Sequence, residues 1–124
     1  MKLNARVVGQ GEELIVLHGL LGSARNWHHI TSKFLAPHMR CHALDLRNHG
    51  TSPHSPNFDL AVMAADVIEY LDTHKIKKAH ILGHSLGGKV AMQIALCAPE
   101  RLQQLIVVDI APKTYAPGHR ELFD

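Results

Sequence analysis

Only two cysteines occur in the 124 residues, Cys41 and Cys97. A disulfide framework would need more thiols in a shorter chain, so both are expected to be small apolar residues of a core. Charge of one sign is equally scarce. Thirteen Lys and Arg against eleven Asp and Glu leave a formal +2, too little to argue for nucleic acid or an anionic membrane as a partner. Long hydrophobic runs are missing too. The longest early one, residues 14–17, is far too short for a signal or membrane segment, and residues 1–6 lack an apolar h-region. A cytoplasmic location is therefore expected. No repeat, low-complexity tract or linker divides the chain, which has room for at most one domain. Metal-ligand spacing is absent as well: His28 and His29 are adjacent and cannot share a helix face, and His38 and His42 straddle a strand entry with no carboxylate in sight. With no nucleotide or flavin fingerprint either, no cofactor is expected.

What is present is an ordinary globular composition, 46% apolar, with eleven histidines that would make the chain cationic in mild acid. Residues 3–8 read as a first strand, closed by a turn at Gly9-Gln10-Gly11. The run Leu14-Ile15-Val16-Leu17 has the continuous apolar character of a parallel strand buried on both faces. A helix capped by Ser23 or Asn26 would gather Trp27, Ile30 and Phe34 on one face and end at Pro37. Residues 41–46 form a third strand. A Gly-, Ser-, Pro- and Asn-rich loop follows, and Asp59 is placed to cap a helix whose Leu60, Met63, Ala64, Val67, Ile68 and Leu71 make one stripe. Residues 79–82 are a strand, 86–98 a helix stopped by Pro99, and 105–108 another buried strand. Alternating strands and helices imply βαβ units and a three-layer α/β/α fold with a mostly parallel sheet.

Gly83-His84-Ser85-Leu86-Gly87 matches G-x-S-x-G, and it lies between a buried strand and an amphipathic helix, where that motif has to lie. A sharp strand-to-helix turn lifts the serine hydroxyl above the carboxyl edge of the sheet. Gly83 and Gly87 are needed because a Cβ at either would collide with the neighbouring helix and strand. The helix amino terminus supplies free N–H groups for a developing oxyanion, Leu86 among them.

Three further segments fall in line with that turn: His18-Gly19-Leu20-Leu21-Gly22-Ser23 after a buried strand, Asp45-Leu46-Arg47-Asn48-His49-Gly50-Thr51-Ser52, and Ala98-Pro99-Glu100-Arg101. Together they resemble the oxyanion loop, the D-x-R-x-x-G-x-S loop, the nucleophile elbow and the following helix end of the α/β-hydrolases. The Arg-Asn-His-Gly and Asp109-Ile110-Ala111-Pro112 segments are most similar to small cytoplasmic acyl esterases. The resemblance implies a serine esterase acting on a small-molecule ester, with Ser85 as nucleophile. It assigns Leu20 the second oxyanion N–H, with His18 and Gly19 shaping that loop, His18 by bonding to backbone. His84 would line the pocket or pack, and Arg47, Asn48 and His49 would organise their loop by hydrogen bonds.

A serine needs an imidazole base, and the base a carboxylate. The family's histidine follows a later strand. The only one beyond the nucleophile helix here, His119, is a poor candidate. Asp109 is either the triad acid or a residue capping the turn at Ile110-Ala111-Pro112. Because complete family members are roughly twice as long, the resemblance also implies that residues 1–124 are the N-terminal part of a single α/β-hydrolase domain. A truncated or partial product of this kind would expose the strand at 105–108 and be prone to aggregation. Two other readings stand beside the esterase. One is a non-catalytic remnant. The other is a P-loop nucleotide-binding protein, since Gly83-x-x-x-x-Gly88-Lys89 approaches that motif, although Val90 stands where a Mg²⁺-ligating Ser or Thr is required.

Overall fold

The structure, a computed structural model, describes residues 1–19, 33, 35–56 and 58–108. Among these residues five strands form one sheet: β1 Ala5–Val8, β2 Glu12–Leu17, β3 Met39–Leu44, β4 Ala79–His84 and β5 Leu102–Val108. Their order is β1-β3-β2-β4-β5. Only β1 runs antiparallel, pairing Ala5 with Leu44 and Val8 with Cys41. The other neighbours are parallel, so their carboxyl ends share one edge of the sheet.

The apolar run in β2 does what its composition dictates. Leu14 to Leu17 are all at most 2% exposed, with neighbours on both sides and side chains sent alternately to two faces. Ile15 and Leu17 join the larger core with Leu44, Leu46 and Ile81, whereas Leu14 and Val16 join Cys41 and Ala43 on the opposite face. Each such fully buried aliphatic chain contributes about 1.5–3 kcal/mol relative to exposure.

Among the described residues two helices follow, α1 Leu60–Thr73 and α2 Leu86–Cys97, with a 3-10 turn at Pro99–Arg101. α1 starts where the sequence predicts: Asp59 is extended (φ −132°), and its Oδ1 accepts from Val62 N at 2.8 Å. The helix ends as Lys75 enters the left-handed region (φ 56°) and Ile76 N donates to Leu71 O. Met63, Ala64, Val67 and Leu71 of the expected stripe are buried, while Ile68 is half-buried at its margin. α1 and α2 pack on each other over the same side of the sheet. The helix expected to carry Trp27, Ile30 and Phe34 lies outside the described residues. No helix among the described residues is long and apolar enough to cross a membrane.

Three expectations are corrected. β5 is not buried: it begins earlier than the apolar run, at Leu102, and Leu105, Ile106 and Val107 are 38, 42 and 43% exposed. Its composition is that of an interior strand, but nothing described pairs with its outer edge. Cys97 is exposed at the end of α2, and only Cys41 is buried. His42 does have a carboxylate partner, reached through parallel pairing of β2 and β3: its Nε2 bonds Glu13 Oε2, and its Nδ1 lies 2.7 Å from the Tyr70 hydroxyl.

The protons on this buried line can be placed. Burial pushes the Tyr70 phenol up to about 12, so it donates to His42 Nδ1. Nε2 then carries the imidazole hydrogen and donates to Glu13. Burial lowers the pKa of His42 despite Glu13, and it lowers that of His18 as well. Both rings are neutral when folded but bind protons when unfolded, near pH 6.5. The unfolded chain therefore takes up more protons below that value, and stability is lost as pH falls from about 6.5 towards the depressed folded values. We expect Tm to fall between pH 7.5 and pH 5.5, with a slope of up to about 1.4 kcal/mol per pH unit for each histidine. A flat melting profile across that range would contradict the assignment.

Candidate active site

β4 ends at His84 and α2 begins at Leu86, leaving one residue to make the turn. Ser85 makes it at φ 54° and ψ −113°, a conformation a residue with a Cβ adopts only when its surroundings impose it. The surroundings are backbone. Ser85 N donates to Val108 O on β5 at 3.2 Å, and Gly87 N donates to His18 O beyond β2 at 3.1 Å. The elbow is thus fastened to the carboxyl ends of the strands on either side of β4.

Those fastenings leave no room for side chains at the two glycines. A Cβ on Gly83 would stand 2.6 Å from Gly88 N. One on Gly87 would stand 2.6 Å from the Leu17 carbonyl carbon and 2.7 Å from His18 O. Neither neighbour is a flexible side chain that could turn aside, which is the collision the motif predicts.

Ser85 itself is exposed, and its side chain makes no capping bond to α2. Its hydroxyl is available at the carboxyl edge of the sheet. Leu86, the first helical residue, has an N–H with no acceptor inside the helix, as the geometry of a helix start requires. Gly19 lies directly alongside. A Cβ there would be 2.9 Å from His84 Nδ1 and 3.4 Å from Ser85 Cβ. The loop after β2 and the elbow therefore meet at a glycine, and the His84 ring packs on that loop. Leu20 and Asp109 lie outside the described residues, as do His28, His29 and His119.

His18 is not a base for Ser85. It is fully buried, and its Nε2 accepts from Leu46 N at 2.9 Å. A backbone N–H can only donate, so Nε2 bears no proton, and Nδ1–H donates to Gly19 O at 2.7 Å. The ring staples the ends of β2 and β3 together, while its own carbonyl holds Gly87.

The polar residues of the 45–52 loop are used inside the loop and beneath it. Asp45 accepts from Thr51 N at 3.1 Å and Asn4 Nδ2 at 2.8 Å. Ser52 Oγ donates to Asp45 O and accepts from Asn4 N. Asn48 binds Ser55 through both amide atoms, and His49 Nδ1 donates to Arg47 O. Arg47 reaches into α1 and clasps buried Asp66 with two bonds, Nε to Oδ2 at 2.6 Å and Nη2 to Oδ1 at 2.9 Å. The hydrogen bonds to Asp66, and then its charge, raise the arginine pKa further. Sequence reasoning missed Asp66. The available signal was a carboxylate set between Met63, Val67 and Tyr70 on the buried face of α1, where a lone charge needs a partner. It also missed Glu13 and Tyr70, which serve His42.

No group of three His, Cys, Asp or Glu among the described residues is placed to hold a metal ion. What is assembled is a strained serine, a helix start and an adjoining glycine, groups able to supply a nucleophile and a free backbone N–H. No hydrogen bond joins the Ser85 hydroxyl to an imidazole among the described residues.

Residues 13–123 match the family described as alpha/beta hydrolase fold. Esterase YbfF of Escherichia coli is 36% identical over 129 residues, covering 99% of this chain and 50% of its own length. The sn-1-specific diacylglycerol lipase ABHD11 of Danio rerio is 43% identical over 105 residues, 84% of this chain and 33% of that protein. Among solved structures, an esterase from a marine microorganism superposes with a TM-score of 0.85 at 38% identity, covering 98% of this chain and 48% of the other. The chain thus spans half or less of the length of these relatives.

Proposed function

Since this chain belongs to the α/β-hydrolase fold family, we propose that it is the nucleophile-bearing part of a single hydrolase domain that cleaves carboxylic esters through an acyl-enzyme on Ser85. The observation that carries this reading is the backbone of Ser85, held at φ 54° between β4 and α2 with its hydroxyl exposed beside Gly19. Such strain persists only where the structure over-determines it, and it clusters at functional positions.

In the reaction, Ser85 Oγ attacks the ester carbonyl and gives its proton to an imidazole supplied from outside the described residues. The N–H groups of Leu86 and Leu20 hold the oxyanion. Asp109, the residue after Val108, whose carbonyl accepts from Ser85 N, orients the imidazole. The alcohol leaves, and water then attacks the acyl-serine and releases the acid. The relatives named esterase and diacylglycerol lipase favour acyl esters as the substrate class. A cytoplasmic setting belongs to the same reading and is favoured by the two free thiols.

The test uses the chain as it stands and p-nitrophenyl acetate. p-Nitrophenolate is a good leaving group, whereas the acetyl-serine left behind must be attacked by water without a base to activate it, so acylation is expected to outrun deacylation. We expect about one equivalent of p-nitrophenol per chain, an acetyl group retained on Ser85, and little turnover afterwards. Equal release from Ser85→Ala would remove the basis of the proposal.

A further inference from the structure

We infer that the outer edge of β1, with the groove it shares with the end of α1, is a docking site for an extended acidic peptide of a partner protein, bound as an added strand. The site is separate from the one described above: β3 and β2 stand between β1 and β4, the strand that leads to Ser85.

The backbone of β1 sets the pattern. Asn4 O accepts from Asp45 N at 2.8 Å and Asn4 N donates to Ser52 Oγ, so both polar groups of Asn4 turn to the β3 side. In an antiparallel pair, residues bonded to the neighbour alternate with residues that are not. With Ala5 opposite Leu44 and Val7 opposite His42, the bonded set is Asn4, Arg6 and Val8. Ala5 and Val7 therefore hold their N–H and C=O groups outward, and no described strand pairs with them. An extended peptide finds its donors and acceptors there, the mode of strand addition to a sheet edge.

A cavity of about 470 Å³ opens along the same two residues, between β1 and the rings of Tyr70 and His74. Those rings stack with centroids 4.0 Å apart and form a flat wall. The lining is apolar at Leu3, Ala5, Val7 and Pro53, and it includes Lys2 but no carboxylate. Val7 is 43% exposed, a β-branched apolar residue left uncovered. Side chains of an added strand would alternate between the two faces of the sheet. One set would enter the groove over Val7. The other would pass Arg6, whose strand partner Ala43 belongs to the opposite face.

Charge selects the occupant. Lys2 and Arg6 are both exposed beside the open residues, and they attract carboxylates. A second copy of the chain does not meet this demand. The register that uses every open group sets Ala5 of one copy against Val7 of the other, which places Arg6 opposite Arg6, and like charges directly opposite destabilise a strand pair. A strand with carboxylates on the Arg6 side and an apolar side chain over Val7 satisfies both faces.

The test uses the 124-residue chain with a blocked peptide of alternating glutamate and valine, and with its lysine–valine counterpart. Binding and amide exchange are followed by NMR. We expect the acidic peptide to bind at least 10-fold tighter than the basic one and to slow exchange at Ala5 and Val7 at least 10-fold. Arg6 and Val8, already bonded to β3, should change little. Methylating the amide nitrogens of the peptide leaves its side chains and the protein intact, and should weaken binding at least 10-fold. Arg6→Glu, a change at an exposed position, should remove the preference for the acidic peptide, and Ser85→Ala should alter nothing. The inference is overturned if neither peptide binds, if the two bind equally, or if methylation makes no difference. It is overturned as well if the Ala5 and Val7 amides are slow in the monomeric chain alone, or become slow only as chain concentration rises, the mark of a second copy. Equal protection by octanoate would assign the groove to a small carboxylate and would also contradict the peptide.

Discussion

Ser85→Ala is expected to abolish retention of the acetyl group and, in a complete hydrolase domain bearing this elbow, to lower kcat about 10⁶-fold, the scale seen when a triad serine is removed. The fold should survive the change. Ser85 is exposed and its side chain caps nothing, so no packing or hydrogen bond is lost with Oγ. The strain survives as well, because alanine keeps the Cβ that makes φ 54° costly. Ser85→Gly separates the two effects. It removes the same hydroxyl, with the same loss of acyl transfer, but accepts the turn without strain. We expect the glycine variant to be more stable than the alanine variant by about 1 kcal/mol, the lower end of the cost of such a backbone position. Urea denaturation of the two variants measures the difference. Equal stabilities would mean that the elbow stores no strain, and a serine held there without strain would lose its strongest claim to a catalytic role.

The second large effect concerns stability alone. Asp66→Ala removes the carboxylate that Arg47 grips from the 45–52 loop, in a pair whose side chains are only 8% and 4% exposed. The Met1 ammonium, 3.5 Å from Asp66, loses an ion-pair partner too, though it retains Glu69. Taking one partner from a buried ion pair costs about 3–5 kcal/mol, because the remaining charge stays buried without its counter-ion. The urea midpoint should then fall by more than about 1 M at the slopes usual for small proteins. Asp66→Asn keeps one acceptor for the guanidinium and should cost less. If Asp66→Ala left the midpoint unchanged, Arg47 would have to be solvated, contrary to the burial observed.

These two residues also show how far the sequence could be read. Ser85 announced itself because the motif is local: strand, glycine, serine, glycine and helix follow one another, and each constrains the next. α1 was readable for the same reason, its period and its Asp59 cap being contained in about fifteen residues. β2 and β4 were readable because Leu14 to Leu17 and Ile81-Leu82 are continuous apolar runs, the mark of strands buried on both faces. Strand boundaries were less so. β3 starts at Met39 and ends at Leu44, set by pairing with β2 and not by its own composition.

Partnerships across the sheet were not legible. Asp66 and Arg47 are separated by 19 residues, and Glu13 and His42 by 29. Periodicity shows which face a side chain takes, not which strand or helix stands opposite. β5 is the converse case. Leu105-Ile106-Val107-Val108 looks the same whether a neighbour is present or not, so composition gave the face it prefers while exposure depended on what pairs with its edge. Leu20 and Asp109, assigned by resemblance to the oxyanion loop and the triad acid, remain part of the proposed mechanism.

The measurement that bears most directly on all of this is a map of the residue modified by a fluorophosphonate. Intact mass and peptide mapping of the treated chain should show one phosphonyl group, carried by Ser85, and none on the Ser85→Ala variant. Modification elsewhere, for example at Ser52, Ser55 or Tyr70, would contradict the assignment of Ser85 as the nucleophile, as would failure to label Ser85 in a domain that also supplies the imidazole base.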